Sequence, residues 1–266
     1  MNYLELLEKV YTEGVKIKSR GEETKECMNL DLEIDSANLY SWPLARPLSK
    51  IMDYANKELA WYLSCDRGSE YIQDKAKLWE KIKNKDGSIN SQYGYLVFEQ
   101  KTAHPSLGDI TMTGFEWAKY TLLKEIDTRR AIITFNNGGY NYESDDFLCT
   151  QHMAFFVRNG KLDCFIALRS SDLIYGQPYN QIFWSMVHQQ LFLSLVHKYK
   201  DLKLGKIMVK IYSAHLYSKH YKLVSEMLSE KPERFFLRLV EILPIGNEID
   251  FYLKNFGAFR VIEKVY

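Results

Sequence analysis

The sequence predicts an α+β fold in a single domain spanning residues 1–266, and three observations lead there. Residues 153–157 and 162–168 are apolar, aromatic-rich runs separated by Arg158-Asn159-Gly160, a hairpin-type turn. Beyond Asn180, the residues Ile182, Met186, Leu191 and Leu195 recur at the spacing of a helix buried on much of its surface. No linker-like change of composition, internal repeat or low-complexity run divides the 266 residues, which are enough for a sizeable core.

Taken in order, residues 3–15 carry Leu4, Leu7, Val10 and Tyr11 at helical spacing, with Gly14 near the end. Residues 16–25 read as a polar loop containing Arg20, and residues 29–34 alternate as a strand. Residues 47–63 read as a helix with Leu48, Ile51, Met52, Leu59 and Leu63 inward, and Glu58 sits among its apolar residues. A shorter helix is expected over 70–82, a turn at Asp86-Gly87, a helix over 112–126 and a strand over 131–135. Residues 136–146 form a Gly/Asn/Asp-rich loop leading to Cys149. A strand over 206–212 is followed by a helix reaching Leu228, then strands over 235–242 and 248–252. His188 and His197 in the long helix read as packing or surface residues.

Hydrophobic residues make up 46% of the chain, charged residues 26%, and the net charge is +1. That balance gives no general attraction to nucleic acid or to a membrane, so any anion site must be a local cluster. The first residues are amphipathic and acidic, unlike a signal peptide, and no apolar run is long enough to span a membrane. Cys27, Cys65, Cys149 and Cys164 form no CxxC pair and have no His at metal-ligand spacing, which predicts reduced thiols in a cytoplasmic protein without a metal.

The expected hairpin brings the start of one strand, near Cys149, to the end of the next, at Arg169, so a thiol and a guanidinium can share a site. Arg169-Ser170-Ser171-Asp172 and Gly176-Gln177-Pro178-Tyr179-Asn180 follow in order. With Cys149, these motifs resemble thymidylate synthases and the phage-type pyrimidine nucleotide hydroxymethylases, and the resemblance runs from Tyr3 to about Tyr217. It implies a thymidylate synthase-like fold: a mixed sheet with helices packed on one side and the other face used for dimerisation.

The resemblance also implies the chemistry. Cys149 would add to C6 of a pyrimidine, making C5 nucleophilic through a covalent adduct; alone it would read as an inert strand cysteine. A thiol at neutral pH needs nearby positive charge to become the nucleophile, and Arg169 is the candidate. Glu58, in a Glu-Leu-x-Trp-aromatic-Leu motif, would be the buried catalytic carboxylate. Arg20 alone would read as a surface charge, and one of Arg129 and Arg130 likewise. By resemblance Arg20, Arg169 and Ser170 would hold the nucleotide phosphate, with Arg129 and Arg130 reaching it from the partner of a homodimer. Asn180 would read the base, and its carboxamide complements the N3 hydrogen and O4 of dUMP. His215 and Tyr217 would bind the sugar.

The implied one-carbon donor is 5,10-methylenetetrahydrofolate, lined by Trp79, Ile82, Asp172, Gly176 and Tyr179, with Asp172 also among the catalytic residues. Two departures from synthases stand out. Ile82 occupies the place of a second tryptophan, and Thr150, whose hydroxyl can help position water, follows the nucleophile where synthases typically have His. The chain also ends Glu263-Lys264-Val265-Tyr266 rather than in a small aliphatic residue. The expected activity is therefore folate-dependent 5-hydroxymethylation of dUMP, with a dTMP-forming synthase or a dCMP hydroxymethylase as the alternatives.

Overall fold

The structure is a computed structural model that describes residues 1–19, 21–36, 39–40, 48–103, 110–135, 144–229, 236–239 and 262–265. Helix α1 (Tyr3–Glu13) starts on a capping box in which Asn2 and Glu5 satisfy each other's backbone N–H groups. It buries Tyr3, Leu6, Leu7 and Val10 against the sheet. Strands β1 (Val15–Ser19) and β2 (Glu22–Ile34) follow as an antiparallel hairpin. The expected polar loop over 16–25 is thus mostly strand. Val15, Lys16, Ile17 and Lys18 do alternate, but the run is short and every β1 residue is exposed or half-buried at the sheet edge, so no buried face marks it.

After the short β3 (Leu39–Tyr40) comes α2 (Leu48–Ser64), close to its expected bounds. The helix expected over 70–82 is real only as α3 (Leu78–Ile82); turns precede it. Trp61 Nε1 donates to Gly68 O, and Ser69 O takes the N–H groups of Ile72 and Gln73, which fixes that segment as a turn. An unanticipated short helix, α4 (Tyr93–Phe98), packs against α2. A small β4 (Lys101–Ala103) and β5 (Thr111–Thr113) pair lies before α5 (Gly114–Lys124). The capping box of Thr113 and Glu116 makes α5 begin two residues later than its pattern suggests.

The rest of the sheet is β6 (Ile132–Thr134), β7 (Thr150–Arg158), β8 (Lys161–Leu168), β9 (Ser171–Asp172) and β10 (Lys203–Tyr217). The β7–β8 hairpin turns at Asn159 and Gly160, both with positive φ, as its sequence requires. Helix α6 (Gln177–Val196) and, after a 3₁₀ turn, α7 (Tyr221–Ser229) complete this part. The strand order is β1-β2-β10-β8-β7-β6, with β9 beside β10; β10 runs parallel to β8 and β9 and the other pairs are antiparallel. The fold is therefore α+β with a mixed sheet. Strands β11 (Phe236–Leu239) and β12 (Ile262–Val265) pair with each other, and β11 also with β3. The strand expected over 248–252, like most of the loop over 136–146, lies outside the described residues.

Strand β10 is longer than its expected 206–212 because its faces exchange partway along. Ile207, Val209 and Ile211 are buried, and then Ala214 and Leu216. The reversal falls at Tyr212, beside Asn29 of β2, whose φ is 60°. A left-handed residue in one strand turns the ladder over, and the alternation loses phase. Beyond the kink, His215 and Tyr217 stand on the face opposite the core.

Gly94 shows how tightly α4 meets α2. A Cβ built there would lie 1.6 Å from Tyr62 O. Gly94→Ala should therefore destabilise the protein by about 1–3 kcal/mol through overpacking. Urea unfolding checks this; a change within error would mean that α4 shifts freely.

Candidate active site

The segment carrying Cys149 is held from three sides. Tyr93, at the start of α4, places its hydroxyl oxygen 3.2 Å from both the Cys149 and the Thr150 backbone N, accepting from each. Arg169, just past β8, donates from Nε to Leu148 O at 2.9 Å and from Nη2 to Phe147 O at 2.7 Å. Its backbone N–H donates to Cys149 O at 3.0 Å. Cys149 Sγ lies 3.7 Å from Ser170 Oγ, which also accepts from Arg169 Nη1 at 3.1 Å. Thiol, hydroxyl and guanidinium are thus together, as the hairpin argument expects.

Asp146, three residues before Cys149, is buried. It accepts from Ser91 N at 2.8 Å, and Asn90 Nδ2 donates to Asp146 O at 3.0 Å. Burial pushes its pKa up, while the Ser91 and Asn90 hydrogen bonds and the Arg169 charge oppose the shift. Burial also drives the Tyr93 phenol up, reinforced by the nearby Cys149 charge, so Tyr93 stays protonated. The Thr150 hydroxyl lies within hydrogen-bonding reach of the same phenol and, with the Thr150 N–H, opposes that rise.

Glu58 comes from α2 and is 6% exposed. Tyr54, one turn earlier on the same helix face, donates to Glu58 Oε1 at 2.6 Å and accepts from Trp79 Nε1 at 3.2 Å. Its ring also meets Tyr179 edge-on at 4.6 Å. Tyr54 therefore ties Glu58, Trp79 and Tyr179 into one cluster. The Tyr62 and Tyr93 rings, 5.9 Å apart, continue it toward Cys149. Burial raises the Glu58 pKa from 4.5 to about 7, and the Tyr54 hydrogen bond holds it back from rising further. Such a carboxyl can both take and give a proton near neutrality.

Asp172 Oδ1 accepts from the N–H groups of Ile174 and Tyr175, at 2.8 and 3.2 Å, and so shapes the turn before α6. Tyr3 of α1 secures the same turn by donating to Leu173 O. Asp172 pairs with His215 across β9 and β10, and the His215 ring meets Tyr217 edge-on at 5.4 Å. Asn180 sits half-buried in the first turn of α6, its N–H on Gly176 O at 3.0 Å. Ile82 is partly buried against the core at the end of α3.

Arg129 and Arg130 are not brought to this site within one subunit. They are exposed, just before β6. Ile132 pairs with Ala154, so the arginines run beside the far half of β7. Counting along the strand puts them roughly 20 Å from Cys149. Arg20 lies outside the described residues. Tyr54 and Asp146 were not singled out from sequence; Tyr54 had a signal, its place four residues before Glu58.

All four cysteines are free. Among the described residues no group of three His, Cys, Asp or Glu residues is arranged to hold a metal, and no helix is long and apolar enough to cross a membrane.

A clamped cysteine beside an arginine, with a buried carboxyl in the adjoining aromatic cluster, is consistent with a one-carbon transferase acting on pyrimidine nucleotides, and the comparisons with known proteins define that class. The chain belongs to the thymidylate synthase family, whose model, described as Thymidylate synthase, matches residues 1–256. It is 25% identical over 184 residues to the deoxycytidylate 5-hydroxymethyltransferase of Enterobacteria phage T4, over 65% of this chain and 70% of that protein. The proteins of that name from phages T2 and T6 match to the same extent. The family uses methylenetetrahydrofolate as co-substrate.

The raised Glu58 pKa carries a stability consequence. Its folded-state value, about 7, lies above the ordinary 4.5, so Glu58 favours folding below about pH 4.5 and this contribution is lost as pH rises to about 7. A shift of that size is on the order of 3 kcal/mol. Glu58→Gln, which has no charge to bury, should be more stable than the wild type at pH 8 by up to about that amount, with no such gain at pH 4. Urea unfolding at both pH values measures it; an equal offset at both would remove the buried-carboxyl account.

Proposed function

We propose that this protein is a deoxyuridylate 5-hydroxymethyltransferase: dUMP, 5,10-methylenetetrahydrofolate and water give 5-hydroxymethyl-dUMP and tetrahydrofolate. The observation that carries the reading is Cys149 fixed beside Arg169 and Ser170 with protonatable Glu58 nearby. Cys149 adds to C6, C5 bonds to the one-carbon unit, and loss of the C5 proton with cleavage of the bond from that carbon to the folate nitrogen releases tetrahydrofolate and leaves a methylene on the ring. The folate supplies that carbon. Glu58 is suited to the proton transfers because it changes protonation near neutral pH.

Water rather than hydride then completes the reaction. This rests on Thr150 and Ile82 standing where synthases typically carry His and Trp, and on the similarity to phage hydroxymethyltransferases. Trp79 and Tyr179 suit an aromatic folate wall, since Tyr54 locks both in place; Gly176 and Asp172 lie beside them on the turn before α6. For the base, the half-buried Asn180 carboxamide complements uracil. The named substrate of the phage relatives is deoxycytidylate, which makes dCMP the competing choice.

Incubation with each nucleotide and methylenetetrahydrofolate, followed by mass spectrometry of nucleotide and folate together, tests the reading. The expected outcome is 5-hydroxymethyl-dUMP with tetrahydrofolate; dTMP with dihydrofolate, or a kcat/KM favouring dCMP, would replace it with one of the two alternatives. Cys149→Ala should abolish turnover and retain nucleotide binding, read by isothermal titration calorimetry.

The working unit in this reading is a homodimer built on the outer face of the sheet. Met28, Ile132, Phe165 and Tyr212 are exposed there, and Ile132, Ala154, Phe165 and Met208 form one row across four strands. Arg129 and Arg130 would then serve the partner's site, as they lie too far from their own Arg169 to share a phosphate with it. Mixing inactive Cys149→Ala subunits with inactive Arg129→Ala/Arg130→Ala subunits should restore activity, because a mixed dimer contains one intact site. Activity that persists in dilute monomer would remove the arginines from the partner's site.

A further inference from the structure

Helix α6 is buried along most of its length, yet it turns polar side chains inward. Gln177, Gln181, Ser185 and His188 are each no more than 4% exposed, and at 3.6 residues per turn they fall within an arc of about 80°. This arc faces the inner side of the sheet. His188 Nε2 lies 2.8 Å from Leu162 O, and its ring stacks 6.4 Å from Phe155. Ser171 Oγ donates to Gln177 Oε1 at 3.2 Å. These contacts set the direction: Gln177 lies at the strand ends that carry Arg169 and Cys149, and His188 at the hairpin end. Thr150 is buried on the same inner face as Met153, Phe155 and Val157, at the Gln177 end.

Two buried atoms in this layer, Gln177 Nε2 and Ser185 Oγ, have no hydrogen-bond partner among the described residues, and the buried Thr150 hydroxyl has only the Tyr93 phenol beside it. Buried polar groups in native proteins are almost always partnered, and deep in a protein the usual remaining partner is water. Gln177 and Ser185 are about 12 Å apart along the helix axis. Roughly three waters at ~2.8 Å spacing bridge that distance.

We propose that the layer between α6 and the sheet holds a file of buried water running from Ser185 to Gln177 and Thr150, and that it supplies the water that completes the transfer. This rests on the hydroxymethyl reading above. A folate stacked on the aromatic wall closes the front of the site, whereas the file arrives from behind the cysteine. In the step it serves, the water oxygen bonds to the methylene carbon, the C=C pair moves onto O4, and the released proton passes to Glu58. The pair then returns to form C5=C6 and expels the Cys149 thiolate.

Ser185→Ala tests the file itself. A hydroxyl bonded to buried water loses favourable contacts on removal, so the melting temperature falls; a dry, unpaired hydroxyl is a burden, so the temperature rises and the file is overturned. Ser185→Ala and Gln177→Leu then test its role, using 2-mercaptoethanol to capture the methylene in competition with water. Tritium release from 5-tritiated dUMP, which precedes the water step, stays at the wild-type rate in Ser185→Ala. The ratio of thioether to hydroxymethyl product rises by about threefold or more, the worth of one weakened hydrogen bond. Ser185→Thr, which keeps the hydroxyl, returns the ratio to that of the wild type. An unchanged ratio in Ser185→Ala overturns the supply role even where the wild type makes hydroxymethyl product. A wild type that makes only dTMP sinks the hydroxymethyl reading and the supply role with it, while the melting temperature still decides whether the file exists.

Discussion

The site depends first on how the chain around Cys149 is held. Four polar contacts converge on Phe147 to Thr150: two N–H groups on one phenol oxygen and two carbonyls on one guanidinium. A nucleophile on a loop has backbone freedom that works against a fixed attack geometry. Here the freedom is removed by Tyr93 from α4 and Arg169 just past β8, two elements that are themselves packed into the core. Arg169 thereby has two tasks. It fixes the backbone of the thiol and presents positive charge beside it, so replacing it would disturb geometry and electrostatics together.

The second constraint is desolvation. Glu58 sits in a setting of Tyr54, Tyr62, Trp61 and Trp79, where a charged carboxylate is poorly solvated. One phenol hydrogen bond is a partial substitute for water, so the carboxyl stays easier to protonate than in solution. The same aromatic residues form the wall suited to a planar co-substrate. Proton affinity and stacking surface therefore have one cause, and the stability lost at high pH is the consequence of burying that carboxyl.

The parts of the fold that sequence reveals are those where burial imposes a period. The β7–β8 hairpin, α1, α2 and α6 all show theirs, and the meeting of Cys149 with Arg169 follows from the hairpin alone. The edge strand β1 carries only a brief alternation, Val15 and Ile17 against Lys16 and Lys18, and since neither apolar residue is buried no longer period develops. Strand β10 hid its second half because the kink at Asn29 and Tyr212 reverses which residues face inward. The turns before α3 mimic helical spacing but are set by backbone contacts with Ser69 and by the Trp61–Gly68 hydrogen bond. Among site residues, those sharing a motif were visible. Asp146 was not, since its burial depends on Asn90 and Ser91, more than fifty residues earlier in the chain.

That kink also explains why the site opens where it does. Without it, β10 would continue to place its odd-numbered residues in the core, and His215 and Tyr217 would be buried beneath α1 and α7. With the ladder turned over, Ala214 and Leu216 fill the core instead. His215 and Tyr217 emerge on the outer side, next to Asp172 and one short strand from Ser170. The outer side is also where the row from Ile132 to Met208 exposes apolar surface. A single left-handed residue thus moves two polar rings from the interior to the face that a second subunit would cover. In the proposed dimer, the arginines stranded at the far end of β6 complete a phosphate site that one chain leaves open.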